Sequence, residues 1–198
     1  MDVALSLITP SAFTVSQWSG GTTTQIAIFP PNAQYANRNF LWRISSATIN
    51  LPESDFTPLP DYERYLSLLE GCIFLTHDGG SSMMLTPGEI HRFDGGAATK
   101  SRGICVDFNL MLRKGACDGS LSCLKIPQAG EFPLTDPAQS SQPQTAVLYC
   151  VRGSGVVHAG TQAAACNCNE AVQIRSFDSN VTLCCSGPAI FMAAFMRC

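Results

Sequence analysis

Short apolar stretches, broken every few residues by glycine, proline or aspartate, constrain this chain more than any other feature of its sequence. Almost no window repeats apolar residues at i, i+3, i+4 and i+7 for long enough to predict an amphipathic helix. Residues 40–49, 65–70 and 72–76 instead have the length and the β-branched and aromatic content of strands. The pattern predicts an all-β protein built as a sandwich or barrel.

The strand segments occur in the same order in two halves of the chain. In residues 65–76 an apolar strand meets Gly71 and a second strand follows, and residues 146–158 repeat this arrangement around Gly153. Glycine permits the tight turns between the strands of a small jelly roll. The repeat therefore predicts a bicupin, with two cupin-like jelly-roll barrels in one compact chain.

A change in composition predicts where the halves divide. Between residues 128 and 145 the chain is rich in Pro, Ser, Gln and Gly, and its prolines would interrupt a β-ladder. We expect an N-terminal half over 1–127 that carries the candidate ligand site, and a connecting segment over 128–145. A C-terminal half over 146–198 would be completed by strands from elsewhere in the chain.

Four segments of the first half together resemble the HutD/Ves family of bicupin proteins. They are WSGGTTTQ at 18–25, FLWRISSA at 40–47, FTPLPDYER running on to LLEG at 56–71, and DFNLMLR at 107–113. Their order and spacing cover about half of the chain, and the second half matches by pattern alone. The resemblance implies a bicupin fold, often a dimer, and a role linked in some relatives to histidine utilisation or stress response.

The charges and the N-terminus bear on partners and location. The formal net charge is −3 and the twelve Lys and Arg residues are scattered singly, so nucleic acid is not an expected partner. The chain lacks the basic and apolar regions of a signal peptide, and no apolar run reaches the length of about 18 residues that a membrane span needs. We expect a cytoplasmic protein, in which most of the ten cysteines are free and buried.

The histidines do not have the spacing of a metal-binding cupin. Such a site needs two histidines one residue apart, a carboxylate and a third histidine on a later strand, and the corresponding run, residues 56–64, contains no histidine. His77 and His91 are isolated in the sequence, and His158 falls in the other half. The cysteine pairs at 166/168 and 184/185 fit zinc spacing poorly. We therefore expect no metal and no other cofactor.

Charged residues inside apolar strands are the best candidates for a site. Arg43 and Asp107 are both flanked by apolar residues, and burying either one unpaired would cost several kcal/mol. One interpretation is a structural salt bridge between these two residues. The other is a ligand site inside the first barrel, with polar groups from Arg43, Arg64, Asp107 and Asn109 and apolar walls from Trp18, Trp42 and Met111.

Three functions remain open on the sequence. The first is a metal-free bicupin that binds a small acidic metabolite in a regulatory or stress-related role. The second is a metal-independent isomerase, epimerase or lyase acting on a small sugar or keto acid, for which the sequence identifies no catalytic residue. The third is a mainly structural homodimer.

Overall fold

The structure, a computed structural model, describes residues 3–137, 145–177 and 180–198. Within these ranges the regular structure consists of β-strands and two 3-10 turns, Pro10–Ala12 and Tyr35–Asn37, with no α-helix. The all-β prediction is confirmed. In the described part of the chain, no helix is long and apolar enough to cross a membrane.

The chain divides into two compact units. The mid-chain unit is Phe13–Cys117, and the two-segment unit combines Met1–Ala12 with Asp118–Cys198. The mid-chain unit contains β2 (Thr14–Trp18), β3 (Gly21–Phe29), β4 (Trp42–Ile49), β5 (Glu53–Asp55), β6 (Tyr62–Gly71), β7 (Ile73–His77), β8 (Ser82–Leu85), β9 (His91–Asp94), β10 (Thr99–Arg102) and β11 (Cys105–Arg113). The two-segment unit contains β1 (Ala4–Ile8), β12 (Asp118–Ile126), β13 (Gly130–Pro133), β14 (Thr145–Arg152), β15 (Ser154–Ala159), β16 (Gln162–Asn167), β17 (Ala171–Arg175), β18 (Val181–Cys185) and β19 (Ala189–Arg197).

Each unit contains one larger and one smaller antiparallel sheet, and the order of equivalent strands in these sheets is the same in the two units. In the larger sheets, the order β4-β11-β6-β9 of the mid-chain unit corresponds to β12-β19-β14-β17 of the two-segment unit. In the smaller sheets, β5-β10-β7-β8 corresponds to β13-β18-β15-β16. Strands β2 and β3 extend the first large sheet beyond β4, and β1 extends the second beyond β17. The bicupin fold is thus a duplicated two-sheet jelly roll, as the repeat predicted.

The boundary between the units differs from the predicted one. It lies between Cys117 and Asp118. The reason is strand pairing, because β12 pairs with β19 along its whole length and β1 pairs with β17. The predicted connecting segment also contains β13, an edge strand that pairs with β18, while residues 138–144 lie outside the described residues.

The two glycines of the sequence repeat occupy equivalent turns. Gly71 and Gly153 have φ angles of 82° and 81°, a conformation that L-residues rarely adopt. A Cβ atom would lie 2.3 Å from the Ile104 carbonyl oxygen at Gly71 and 2.6 Å from the Pro188 carbonyl oxygen at Gly153. Both turns therefore require glycine for its backbone conformation and for close packing against a neighbouring strand.

Candidate functional site

The inner face of the larger mid-chain sheet carries the candidate polar residues. Met111 on β11 lies opposite Arg43 on β4 and Arg64 on β6, and Asn109 lies opposite Ser45 on β4. Directly paired residues of a sheet point to the same face, as do residues two apart along one strand. The pairing of β4, β11 and β6 therefore brings these five side chains together.

These side chains line a cavity of about 260 Å³ within the mid-chain unit. A cavity of this volume suits a small metabolite, since pockets for drug-sized ligands begin at about 300 Å³. Arg43, Arg64, Asn109 and Met111 are buried, whereas Trp18 is 39% exposed, so the cavity reaches from the interior to the surface. The remaining lining residues are Ser16, Thr23, Tyr35, Ser45, Ala47, Ile49, Ser54, Asp55, Phe56 and Thr57.

Arg43 is held in place by neutral groups. Its Nε donates to Gln25 Oε1 at 2.8 Å, its Nη1 donates to Ser45 Oγ at 3.0 Å, and its guanidinium carbon lies 4.4 Å from the centre of the Tyr35 ring. Burial lowers the pKa of Arg43 to about 10, so the side chain is still a cation at neutral pH. None of these partners cancels its charge.

Arg64 and Asn109 carry buried polar atoms without hydrogen-bond partners. The guanidinium of Arg64 lies over the rings of Phe56 and Phe93, at 4.9 and 5.3 Å, and its Nε has no partner. Asn109 Oδ1 also lacks a partner. Leaving such a group unsatisfied costs about 1–3 kcal/mol, so each atom is a place where a ligand atom would gain a hydrogen bond.

Asp107 lies in the interior beside this site. Its Oδ1 accepts a hydrogen bond from the Ala47 backbone N–H at 2.8 Å, and it does not line the cavity. Burial raises the pKa of Asp107 to about 6, although the Ala47 hydrogen bond and the charges of Arg64 and Arg43 act to lower it. Within the described residues no ion pair closer than 4.0 Å joins Asp107 to Arg43, so the salt bridge considered from the sequence is not formed.

The cavity contains most, but not all, of the predicted ligand-binding residues. It is lined by Arg43, Arg64, Asn109, Trp18 and Met111, whereas Trp42 and Asp107 do not line it. Trp42 stacks on Phe29 with ring centres 5.8 Å apart, because it neighbours Arg43 in β4 and points to the opposite face of the sheet. The alternation of side chains along a strand decides which of the two reaches the cavity.

Ten lining residues were not among the predicted ligand-binding residues, and three of them, Ser45, Tyr35 and Phe56, contact the arginines. Ser45 stands two residues after Arg43 in the same strand, so alternation would have placed both on one face. Tyr35 lies in a 3-10 turn and Phe56 follows β5, where no periodic pattern indicates orientation. Only the fold brings these two rings to the arginines.

Three of the five equivalent positions of the two-segment unit are apolar, and the other two are Ser120 and Ser122, which pair with Phe195 and Ala193 as Arg43 and Ser45 pair with Met111 and Asn109. Ala146 precedes Gly153 in β14 as Arg64 precedes Gly71 in β6. Gly153 packs against Ala189 as Gly71 packs against Cys105, which makes Ala193 and Phe195 the counterparts of Asn109 and Met111. Ala193 and Phe195 belong to the apolar core of their unit. The two arginines and the asparagine of the site are therefore specific to the mid-chain unit.

The side chains do not fit a metal centre of the cupin type. Among the described residues no group of three or more His, Cys, Asp or Glu side chains could hold a metal ion. Cys166, Cys168, Cys184 and Cys185 are free thiols. His77 and His91 are not isolated, contrary to the sequence-based expectation, because β7 and β9 bring their Nε2 atoms to 2.8 Å. They form a pair, without a third ligand.

Three solved structures share the fold of this chain. A conserved protein of unknown function from Pseudomonas aeruginosa PAO1 is 19% identical, with a TM-score of 0.84 over 98% of this chain and 100% of that one. HutD from Pseudomonas fluorescens SBW25, solved in a formate condition, is 21% identical, with a TM-score of 0.71 over the same shares. The bacterial pirin YhhW from Escherichia coli, in complex with nickel(II), is 9% identical, with a TM-score of 0.73 over 98% and 100% of the two chains.

Family membership follows from the sequence itself. None of the curated proteins matches this chain. The model of the HutD family matches residues 11–190, which include the whole mid-chain unit and all the residues that line the cavity. The chain belongs to the HutD family.

Proposed function

We propose that this protein binds a small acidic metabolite in the cavity of the mid-chain unit and has a regulatory or stress-related role. The observation that carries the proposal is the pair of buried arginines, Arg43 and Arg64, which face a cavity open to solvent and form no ion pair with an acidic side chain among the described residues. The same proposal has the protein acting in the cytoplasm, as a homodimer, with neither nucleic acid nor a membrane as partner.

The charge balance supports an anionic ligand. A buried cation is costly unless it is paired, and a carboxylate is the natural partner for a guanidinium because two parallel hydrogen bonds can form. Asp107 supplies one negative charge nearby when ionised, against two positive charges from Arg43 and Arg64. Asp55 also lines the cavity, but its exposed carboxylate pairs with Lys100 at 3.6 Å. A ligand with one carboxylate in the cavity would complete the neutralisation.

The unpaired polar atoms and the apolar residues of the cavity indicate which other groups the ligand carries. A carboxylate oxygen would accept from Arg64 Nε, and a hydroxyl, amine or amide N–H of the ligand would donate to Asn109 Oδ1. Trp18, Phe56 and Met111 provide apolar walls for a short carbon skeleton. The ligand class is therefore a small carboxylic acid that also carries a hydrogen-bond donor.

The experiment is a thermal-shift screen with L-glutamate, L-malate, L-lactate and glycolate, acids that each carry an amine or hydroxyl donor, with uncharged succinamide as the control compound. A ligand at 100 times its Kd stabilises the native state by about 2.7 kcal/mol, so binding raises the Tm. We expect at least one acid to raise the Tm and succinamide to have no effect. The shift should vanish in R64Q, which removes a buried unpaired cation and should still fold.

The matched control is R102Q, because Arg102 is exposed on β10 and pairs with Glu53 at 3.5 Å. R102Q should retain the full shift. The proposal fails if no acid raises the Tm, or if R64Q and R102Q respond to the acids in the same way.

A metal-independent isomerase, epimerase or lyase is the second candidate, and one observation favours it. A carboxyl with a pKa of about 6, as burial gives Asp107, is suited to acid–base work near neutral pH. Its position outside the cavity lining weighs against this role. Exchange of the C3 protons of pyruvate in D2O, followed by NMR, tests it: exchange that disappears in D107N while ligand binding persists would favour the enzyme.

A further inference from the structure

The two histidines of the mid-chain unit are hydrogen-bonded to each other. His77 lies on β7 of the four-stranded sheet, His91 lies on β9 of the six-stranded sheet, and their Nε2 atoms are 2.8 Å apart. Both rings are half-buried and pack on Phe93, with ring centres 4.8 and 5.4 Å away. The bond therefore joins one sheet of the jelly roll to the other.

The neighbouring hydroxyl determines which nitrogen carries each proton. One assignment forms both hydrogen bonds of the Thr99 hydroxyl: Oγ1 donates its single hydrogen to the Ala97 carbonyl oxygen at 3.1 Å and accepts from His77 Nδ1 at 2.8 Å. With its proton on Nδ1, neutral His77 presents a lone pair at Nε2. His91 must then carry its proton on Nε2 and donate it to His77. The shared hydrogen bond therefore needs a lone pair on His77 Nε2 and a hydrogen on His91 Nε2.

The geometry points to a pH-sensitive clasp between the two sheets, formed by the His77–His91 hydrogen bond and released when both rings are protonated. One added proton is accommodated on His91 Nδ1, which leaves the shared bond intact. A second proton would bind to His77 Nε2. Both Nε2 atoms would then carry a hydrogen, so neither could accept the hydrogen bond, and the two positively charged rings would repel each other. The clasp therefore holds as long as at least one of the rings is neutral.

The environment of the two histidines disfavours binding of the second proton. Burial lowers the pKa of both histidines, and the nearby His77 lowers that of His91 further, while Asp78 acts to raise that of His77. The charged groups on the elements around the pair are Asp78 after β7, Glu89 before β9, Arg92 and Asp94 on β9, Glu63, Arg64 and Glu70 on β6, and Lys100 and Arg102 on β10. Arg92 and Lys100 pair with Glu63 and Asp55, and Arg64 lies over the Phe93 ring.

The direction of the pH effect follows from the lowered pKa values. A native-state pKa below the unfolded one means that the unfolded state binds more protons in acid. The stabilisation from the pair is thus present above the ordinary histidine pKa, about 6.5, and is lost as the pH falls through the lowered native values. Release would free Phe93, which also contacts the Arg64 guanidinium at the cavity.

Hydrogen exchange of the backbone amides of β7 and β9, corrected for intrinsic rates, tests the clasp at pH 7.5 and pH 5. In the wild type we expect the corrected exchange to rise about fivefold in acid, the effect of losing one hydrogen bond. H91Q should abolish this rise. The glutamine amide does not titrate, and it can donate to His77 Nε2 or, after a flip, accept from it.

H158Q is the matched control, since His158 is exposed on β15 of the other unit, and it should behave like the wild type. The inference is overturned if wild-type exchange is the same at both pH values, or if H91Q shows the wild-type rise. Imidazole 15N NMR of the wild type gives an independent readout: a proton on His77 Nε2 at pH 7.5 would also overturn it.

Discussion

At the scale of single residues, the mid-chain unit keeps polar groups where a folded protein normally satisfies them. The buried Arg64 Nε and Asn109 Oδ1 have no partner, and Asp107 is buried without an ion pair. Each of these buried polar groups lowers the stability of the native state, and proteins retain such groups mostly at functional sites. The equivalent residues Ala146 and Ala193 show that the fold itself does not require them.

D107N is predicted to stabilise the protein at neutral pH and to leave it nearly unchanged in acid. Burial raises the pKa of Asp107 to about 6, above its ordinary value of 3.8. The stability that the protonated carboxyl contributes is full below the unfolded pKa and is lost as the pH rises through the folded pKa. Asn mimics the protonated form, so the gain at pH 7.5 should reach up to about 3 kcal/mol.

Urea unfolding of both proteins at pH 7.5 and pH 4 measures this difference. Because Asn is also neutral, D107N should bind an acidic ligand more tightly at pH 7.5, which calorimetry with the best acid of the screen would detect. A D107N protein that is less stable than the wild type at pH 7.5 would show that the ionised carboxylate stabilises the site.

At the scale of elements, the duplicated strand order determines where the site lies. Strands β4, β11 and β6 are neighbours in the large sheet, as β12, β19 and β14 are in the other unit. Because pairing aligns Met111 with both Arg43 and Arg64, the two arginines face the same cavity from strands on either side of β11. A shift of one residue in either pairing would turn an arginine to the other face of the sheet.

G71A is predicted to destabilise the protein far more than G79A. Both glycines have positive φ, 82° and 70°, so alanine at either position has a conformational cost of about 1–2 kcal/mol. At Gly71 the new Cβ would also lie 2.3 Å from the Ile104 carbonyl oxygen, whereas at Gly79 it meets no atom within 4 Å. Chemical denaturation should show a clearly larger loss for G71A, and equal losses would mean that the β6–β7 turn adapts easily.

At the scale of the whole molecule, the two jelly rolls differ in the side chains that their equivalent strands bury. The core cluster of the two-segment unit includes Leu148, Val172, Phe191 and Phe195. Its buried polar residues Ser120 and Asp136 hydrogen-bond to each other at 2.6 Å, whereas Arg64 Nε and Asn109 Oδ1 of the mid-chain unit have no partner. The mid-chain unit then holds the polar groups that a binding function requires.

The purified protein is predicted to contain only substoichiometric amounts of transition metal, and EDTA should leave its Tm unchanged. The reason is the side-chain inventory, since the described residues offer no cluster of three or more metal-binding side chains. Elemental analysis together with a melting curve in EDTA checks both statements. A stoichiometric metal, or a fall in Tm with EDTA, would contradict the metal-free assignment.

The sequence by itself determined the fold class, the duplication and the polar residue types of the site. Alternating apolar strands, the glycines at 71 and 153 and the arginines within apolar strands are local signals, because they depend only on neighbours along the chain. Family membership also follows from the sequence, because the HutD family model matches residues 11–190.

Only the tertiary structure decided the unit boundary, the cavity lining and the histidine pair. Strand β12 pairs with β19 at the far end of the chain, Tyr35 and Phe56 reach the arginines from turns, and His77 meets His91 across two sheets. These contacts join residues that are distant in sequence, and they form only when the jelly rolls close. No local pattern encodes such contacts, because strand pairing and sheet packing act between segments.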